Sequence, residues 1–223
     1  MPIGFRIEPR ASAPDPALIE ALRGVSTSII SDNMGRLYAG GPELRPFHDG
    51  TPMIGMAITV RARPGDNLMI HKAIDLAQPG DVIVVDAGGD LTNSLVGEIM
   101  LNLAICRAIA GYIIDGAVRD TGALAKASLG VFARGVSHRG PYKDGPGEIN
   151  VPIVVGGQPV SPGDIVIGDA DGILAVPQRD AAGVAELAKA QIQREESILA
   201  SIADGTVDRS WVDATLKAKG LVL

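Results

Sequence analysis

Residues 111–120 read G-Y-I-I-D-G-A-V-R-D. An apolar run of this kind is typical of a buried strand, and here it runs through a glycine to an adjacent arginine and aspartate, Arg119 and Asp120. A guanidinium group binds carboxylates through paired hydrogen bonds, whereas a carboxylate is a ligand for hard divalent cations. The sequence therefore predicts a strand that ends in an anion site beside a cation site, as metal-assisted chemistry on a small oxo acid would require.

The residues before this strand predict a strand–helix–strand unit. Asp81–Asp86 (D-V-I-V-V-D) is nearly continuous in apolar β-branched residues and follows a Pro-Gly turn. Residues 97–110 are predicted to form a helix that is apolar on most faces, and we expect it to be largely buried. The unit forms a right-handed crossover between two parallel strands.

This crossover predicts which residues meet. The helix carries the chain away from the ligand-binding edge and the next strand brings it back, so Gly97 and Glu98 should lie near Arg119 and Asp120. In open α/β folds, ligands bind at the carboxyl ends of the strands. The free N–H groups at the helix start would form a second anion-binding surface facing the arginine.

Composition restricts the class of protein. The chain has 223 residues, 46% of them hydrophobic, which is enough for a core within a single domain spanning residues 1–223. A net charge of −6 and an aromatic content of 3% argue against nucleic-acid binding. The first residues lack the apolar core of a signal peptide, and no run is long enough to cross a membrane, so we expect a cytoplasmic protein with no membrane partner.

Several residues that often carry chemistry are predicted to have structural roles. Cys106 lies within the apolar helix and is expected to pack inertly in the core. His48, His71 and His138 share no metal-binding spacing, and His71 is expected to be structural. Asp169 is expected to serve a hairpin turn. The other predicted elements are a short helix at 17–22, strands at 56–63, 131–135 and 153–156, a helix at 67–76, a hairpin over 162–177 and C-terminal helices at 181–204 and 211–219.

Four segments together carry a family resemblance: P-G-D-V-I-V-V-D (79–86), V-G-E (96–98), G-A-V-R-D (116–120) and G-P-G-E-I-N-V-P (145–152). In this order and spacing they resemble the 4-hydroxy-4-methyl-2-oxoglutarate aldolase family, also called the regulator of ribonuclease activity A-like family. The similarity extends from about Asp15 to about Gly220.

The resemblance implies an α/β fold of the β/β/α sandwich type (swivelling-domain-like) with C-terminal helices, about residues 181–220, packed on a neighbouring subunit. It implies a homotrimer or homohexamer with active sites between subunits, and Mg²⁺ or Mn²⁺ as cofactor. The implied reaction cleaves 4-hydroxy-2-oxo diacids, such as 4-hydroxy-4-methyl-2-oxoglutarate or 4-carboxy-4-hydroxy-2-oxoadipate, to pyruvate and a second oxo acid. Oxaloacetate decarboxylation is the implied side activity.

The resemblance also assigns roles to residues at matching positions. Asp120 would be the metal ligand, and Arg119 would hold the pyruvate carboxylate. The backbone amides of Ile99 and Met100, at the helix start that follows Gly97, would assist Arg119.

Acidic residues complete the implied site. Glu98 would take part in proton transfer, and Glu195 in the C-terminal helix, or alternatively Glu196, would reach the active site of a neighbouring subunit. This sequence departs from the family pattern at Ala123, where a second acid usually follows three residues after the aspartate. The departure bears on metal affinity and on the choice of substrate.

Two other classes of function compete with a metal-dependent lyase. Some relatives bind and inhibit a ribonuclease complex, but those tend to lack the aspartate that is present here as Asp120. A Schiff-base aldolase would need a desolvated lysine, whereas Lys72 and Lys126 both have polar flanks. The sequence therefore favours the metal-dependent enzyme.

Overall fold

The computed structural model of the chain describes residues 3–37 and 40–222. The strands in chain order are β1 (Phe5–Ile7), β2 (Arg45–Pro46), β3 (Met53–Ala62), β4 (Asp81–Asp86), β5 (Ser94–Val96), β6 (Gly111–Val118), β7 (Gly130–Val136), β8 (Gly147–Ile149), β9 (Ile153–Val155), β10 (Gln158–Val160), β11 (Ile165–Asp169) and β12 (Gly172–Val176). The helices are α1 (Pro16–Leu22), α2 (Thr27–Asn33), α3 (Leu68–Leu76), α4 (Glu98–Cys106), α5 (Thr121–Leu124), α6 (Ala181–Ala203) and α7 (Ser210–Ala218). Every element predicted from the sequence is present, with boundaries that differ by a few residues.

A large mixed sheet organises the chain. Its main path runs β1-β8-β3-β4-β6-β7-β2, and β11 and β12 extend it from β3. The pairs β3–β4, β4–β6 and β6–β7 are parallel, so their carboxyl ends lie at one edge. The two strands of the predicted strand–helix–strand unit are parallel, as predicted, and they are direct neighbours in the sheet, with α4 between them in the chain.

Both faces of this sheet are covered, which explains why its central strands are apolar at every position. In β4, Ile83 and Val85 pack in the core beneath α3 and α4. The alternate residues Val82 and Val84 pack in a second core with β9, β10 and β12. The result is a helical layer, the large sheet and a further β layer, so the predicted β/β/α sandwich is confirmed.

Helix α4 departs from the expectation in length and burial. It ends at Cys106, short of the predicted end at residue 110, because Ala108 takes a left-handed conformation (φ 55°). Cys106 is exposed, so the prediction that it packs in the core was wrong. Ile99 is also exposed (72%), because α4 buries only the side that carries Met100, Leu101 and Ala104.

The C-terminal helices confirm the predicted elements but leave apolar residues uncovered. The first turns of α6 pack against α1, α2, β11 and β12. Farther along, Ile198, Leu199 and Ile202 are each more than half exposed, as is Trp211 in α7. In the part of the chain that the structure describes, no helix has the length and apolar character needed to span a membrane.

Candidate active site

The end of β6 presents Arg119 and Asp120. The Arg119 N–H donates to the Val96 carbonyl (2.9 Å), which ties the end of β6 to the end of β5. Asp120 then takes a left-handed conformation (φ 56°, ψ 39°) as the chain turns into α5. Few residues other than glycine adopt this conformation, although aspartate is among those that do so most often. The turn places the two side chains together, with Nε of Arg119 3.6 Å from Oδ2 of Asp120.

The start of α4 meets this pair directly. The Glu98 N–H donates to Oδ2 of Asp120 (3.0 Å). Gly97 precedes the helix, and a Cβ atom there would lie 2.5 Å from Oδ2 of Asp120 and 2.9 Å from Cγ of Arg119. Only a glycine leaves room for both side chains. The predicted crossover brings residues 97–98 to residues 119–120, and the structure places them together.

A cavity of about 230 Å³ opens beside Arg119 and the first turn of α4. This volume lies below the range of roughly 300–1,000 Å³ found for drug-sized ligands, so a small metabolite is the better match. The cavity is lined by Asn67, His71, Ser94, Leu95, Val96, Gly97, Ile99, Met100, Arg119, Pro141 and Lys143. Glu98 and Asp120 are outside this lining and adjoin it through Gly97 and Arg119.

Two residues of the lining were not predicted. His71 was expected to be structural, and Lys143 was not singled out, yet both face the cavity that contains Arg119. Burial lowers the pKa of His71, and the positive charge of Lys143 lowers it further, while Asp75 opposes the shift. His71 therefore favours its neutral form near neutral pH.

Asn67 connects the helices on either side of this cavity. Its Nδ2 donates to the Leu95 carbonyl (2.9 Å) and contacts Sδ of Met100 (3.4 Å). These contacts hold α3 against the start of α4. Oδ1 of Asn67 is buried and has no partner among the described residues.

The family follows from comparison with known proteins. The sequence model of the RraA-like family, described as Aldolase/RraA, matches residues 27–175. The chain belongs to the RraA-like family.

Proteins similar to this chain carry different kinds of name. A protein of Halalkalibacterium halodurans that is named "Putative 4-hydroxy-4-methyl-2-oxoglutarate aldolase" is 38% identical over 189 residues, which cover 85% of this chain and 90% of that protein. An uncharacterized protein from Pseudomonas syringae has a similar structure (TM-score 0.79, 28% identity, 87% of this chain and 96% of that one). The RNA-processing inhibitor RraA from Thermus thermophilus is also similar (TM-score 0.64, 32% identity, 68% of this chain and 92% of that one).

In this RraA-like chain the predicted acids occupy different places. Glu98 is exposed at the first position of α4, beside Asp120. Glu195 lies on the exposed part of α6, where its Oε1 accepts from Nε2 of Gln191 (2.8 Å), and it does not line the Arg119 cavity. Glu196 lines a separate cavity between α6 and α1. A role for Glu195 at the site of a neighbouring subunit stays a prediction.

Metal binding in this family member would rest on Asp120. Among the described residues, no three His, Cys, Asp or Glu side chains cluster in a way that suits a metal ion. His48 is instead held by backbone groups of Val131 and Thr51, and Asp169 by Thr27. Magnesium often binds through one or two carboxylates and keeps several waters. A single, partly exposed carboxylate at Asp120 fits such a hydrated ion and does not suit a closed zinc site.

The two lysines considered for a Schiff base are poorly placed. Lys72 and Lys126 are both exposed, and neither lines the Arg119 cavity. A lysine nucleophile requires a desolvated setting that lowers its pKa. The RraA-like site therefore gives the Schiff-base mechanism no support.

Proposed function

We propose that this chain is a divalent-metal-dependent aldolase of the class II type. It cleaves 4-hydroxy-2-oxo diacids, such as 4-hydroxy-4-methyl-2-oxoglutarate or 4-carboxy-4-hydroxy-2-oxoadipate, to pyruvate and a second oxo acid, and it decarboxylates oxaloacetate at the same site. The observation that carries the proposal is the meeting of Arg119 and Asp120 with the start of α4 around Gly97. The aldolase assignment of a relative 38% identical to this chain supports it.

Substrate binding rests on Arg119 and the first turn of α4. The guanidinium of Arg119 faces the cavity and binds the 1-carboxylate of the 2-oxo acid through two parallel hydrogen bonds. The N–H groups of Ile99 and Met100 belong to the first turn of the helix, where they have no intrahelical acceptor, and they donate to the same end of the substrate. Gly97 supplies the space for this approach.

Asp120 would hold Mg²⁺ or Mn²⁺, with waters completing the coordination. Such an ion supplies Lewis-acid stabilisation of the negative charge that develops on the 2-oxo group. The Glu98 N–H fixes the Asp120 carboxylate through Oδ2, and Arg119 keeps the substrate carboxylate beside it.

Cleavage requires one proton to leave the substrate and one to return. Glu98 accepts the proton of the 4-hydroxyl, directly or through water, the C3–C4 bond breaks, and its electron pair remains on the pyruvate fragment as an enolate. Protonation of that enolate at C3 releases pyruvate. Glu195 of an adjacent subunit would assist proton transfer. Decarboxylation of oxaloacetate passes through the same enolate, so one site serves both reactions.

Assembly into a homotrimer or homohexamer forms part of the proposal. Ile198, Leu199 and Ile202 in α6 and Trp211 in α7 expose apolar surface that the chain does not cover itself. Burial of this surface against a neighbouring subunit would also bring Glu195, which lies on the same helix, next to that subunit.

The test is the release of pyruvate from 4-hydroxy-4-methyl-2-oxoglutarate and from oxaloacetate, with Mg²⁺ and again with a chelator. We expect release from both substrates with Mg²⁺ and its loss with the chelator. If pyruvate is released from oxaloacetate alone, the enolate mechanism still holds, and we would then explain the change of substrate by Ala123. A folded protein that releases pyruvate from neither would contradict the proposal.

The second candidate is a non-catalytic binding protein. It is favoured by the structural similarity to a protein named as an RNA-processing inhibitor. In that case Asp120 would be dispensable, and the protein would bind a ribonuclease complex equally well with and without Mg²⁺.

A further inference from the structure

The Arg119 cavity contains a second cationic residue that the proposed mechanism does not use. Lys143, in the segment between β7 and β8, and His71, in α3, both line the cavity. Arg119 comes from a different element, the end of β6. Among the described residues, those that line the cavity include no aspartate or glutamate. Lys143 forms no ion pair with any acidic residue that the structure describes.

Lys143 is exposed, but the backbone around it is fixed. Asp66 is 1% exposed, and its Oδ2 accepts from the N–H groups of Asp144 (2.7 Å) and Gly145 (2.9 Å), immediately after Lys143. On the other side, the Tyr142 N–H donates to the Gly65 carbonyl (2.8 Å). The segment is therefore held on both sides of the lysine.

The same buried carboxylate also fixes the helix that carries His71. Oδ1 of Asp66 accepts from the N–H of Leu68 (2.9 Å), the first residue of α3. His71 lies one turn farther along this helix. Asp66 therefore holds His71 and Lys143 in one arrangement, and both residues face the space next to Arg119.

We propose that Lys143, with His71 as a hydrogen-bonding neighbour, binds the second carboxylate of the substrate and makes the site selective for dicarboxylic 2-oxo acids. The inference rests on the proposed function, because it assumes that Arg119 binds the 2-oxo acid end. A cavity of about 230 Å³ with cations from two elements and no lining acid suits a short dianion better than a monoanion. Lys143 is thus a specificity-determining residue, and Asp66 positions it.

The test compares two acids of equal chain length that cannot undergo cleavage. 2-Oxoglutarate has a carboxylate at carbon 5, whereas 2-oxopentanoate has a methyl group there. Calorimetric titration in the presence of Mg²⁺ should show that the wild-type protein binds 2-oxoglutarate about tenfold more tightly, as expected for one added charge-assisted hydrogen bond. Lys143→Met should remove this difference while leaving the affinity for 2-oxopentanoate unchanged.

Two further variants control for charge. Lys143→Arg keeps a cation and should keep the preference. Lys217→Met removes an exposed lysine of α7 that does not line the cavity, and it should also keep the preference. Since Lys143 and Lys217 are both exposed, all three variants should have the wild-type melting temperature.

A wild-type protein without preference for 2-oxoglutarate, or Lys143→Met with the preference intact, would overturn the proposal. Failure of the aldolase function is a distinct result. If the protein shows the expected binding preference but releases no pyruvate from 4-hydroxy-4-methyl-2-oxoglutarate, the proposed second carboxylate site is supported and the proposed aldolase reaction is contradicted.

Discussion

Asp120 adopts a left-handed backbone conformation (φ 56°, ψ 39°) at the point where β6 ends. For a residue other than glycine this conformation costs about 1 kcal/mol or more, and surrounding contacts must maintain it. Two sets of hydrogen bonds do so here. Backbone N–H groups of α5 donate to the Asp120 carbonyl, and the Glu98 N–H donates to its carboxylate. Strained residues cluster at functional sites, so the backbone of Asp120 supports its proposed role as much as its side chain does.

We predict that Asp120→Asn abolishes metal-dependent activity without unfolding the protein. Asparagine tolerates the left-handed conformation and is nearly isosteric, but it lacks the charge that binds a hard cation. Pyruvate release with Mg²⁺ should fall at least about 100-fold, since the loss of a group essential to catalysis is typically this large. The unfolding free energy should change by less than about 1 kcal/mol, because the side chain is partly exposed. Wild-type turnover by this variant would remove Asp120 from the mechanism.

A second prediction at this scale concerns His71 and acid stability. Burial and Lys143 lower its pKa in the folded state below the usual value of about 6.5. The unfolded chain therefore binds more protons than the folded chain as the pH falls below about 6.5, and the unfolding free energy decreases there. His71→Gln should lose less stability than the wild type between pH 7 and pH 5, as measured by urea unfolding. Parallel losses in the two proteins would contradict this account.

At the scale of elements, the site depends on how closely the start of α4 approaches the end of β6. Gly97→Ala would place a Cβ atom 2.5 Å from Oδ2 of Asp120 and 2.9 Å from Cγ of Arg119. Gly97 has an extended conformation (φ −148°) that alanine also adopts, so the effect is steric. We expect at least a tenfold loss of kcat/KM, since small displacements of positioned groups have large effects on rate.

The matched control for this prediction is Gly122→Ala in α5, where an added Cβ atom would meet no atom within 4 Å. This variant should keep wild-type kinetics. Equal kinetics for Gly97→Ala and the wild type would show that the close approach around Gly97 does not position the two side chains.

The strands of the central sheet were predictable because burial on both faces requires continuous apolar residues. Val82 to Val85 and Tyr112 to Ile114 meet that requirement, and their pairing followed from the helix between them. The end of α4 was not predictable in the same way. Beyond Cys106 only Arg107 interrupts the apolar residues, which resume at Ala108 and Ile109. The left-handed residue that ends the helix is Ala108, where the sequence has no glycine.

The positions of His71 and Lys143 at the cavity could not be predicted from the sequence, for a different reason. These residues are far apart in the chain, and their two elements are held together by the buried Asp66 carboxylate and by backbone hydrogen bonds of Tyr142 with Gly65 and Asn67. A lone aspartate between a glycine and an asparagine resembles any turn residue in the sequence. By contrast, Arg119 and Asp120 were found because they are adjacent and follow an obvious strand.

At the scale of the whole molecule, the exposed apolar residues of α6 predict assembly. Leu199 is 64% exposed, and Ile198 and Ile202 are each more than half exposed. Light scattering should give the mass of a trimer or hexamer of the 23.0 kDa chain. Leu199→Asp should shift the mass toward the monomer and lower pyruvate release, since Glu195 of a neighbouring subunit would be removed from the site. A monomeric wild-type protein with full activity would contradict both the assembly and the role of Glu195.

Arg119 and Asp120 occupy consecutive positions, so one peptide unit fixes their Cα atoms about 3.8 Å apart. Any displacement of the end of β6 therefore moves the two backbone positions together, while the Glu98 N–H holds the Asp120 carboxylate through Oδ2. A site built on one dipeptide obtains the spacing of its two Cα atoms from covalent bonds, and the fold places the side chains and brings the start of α4 to them.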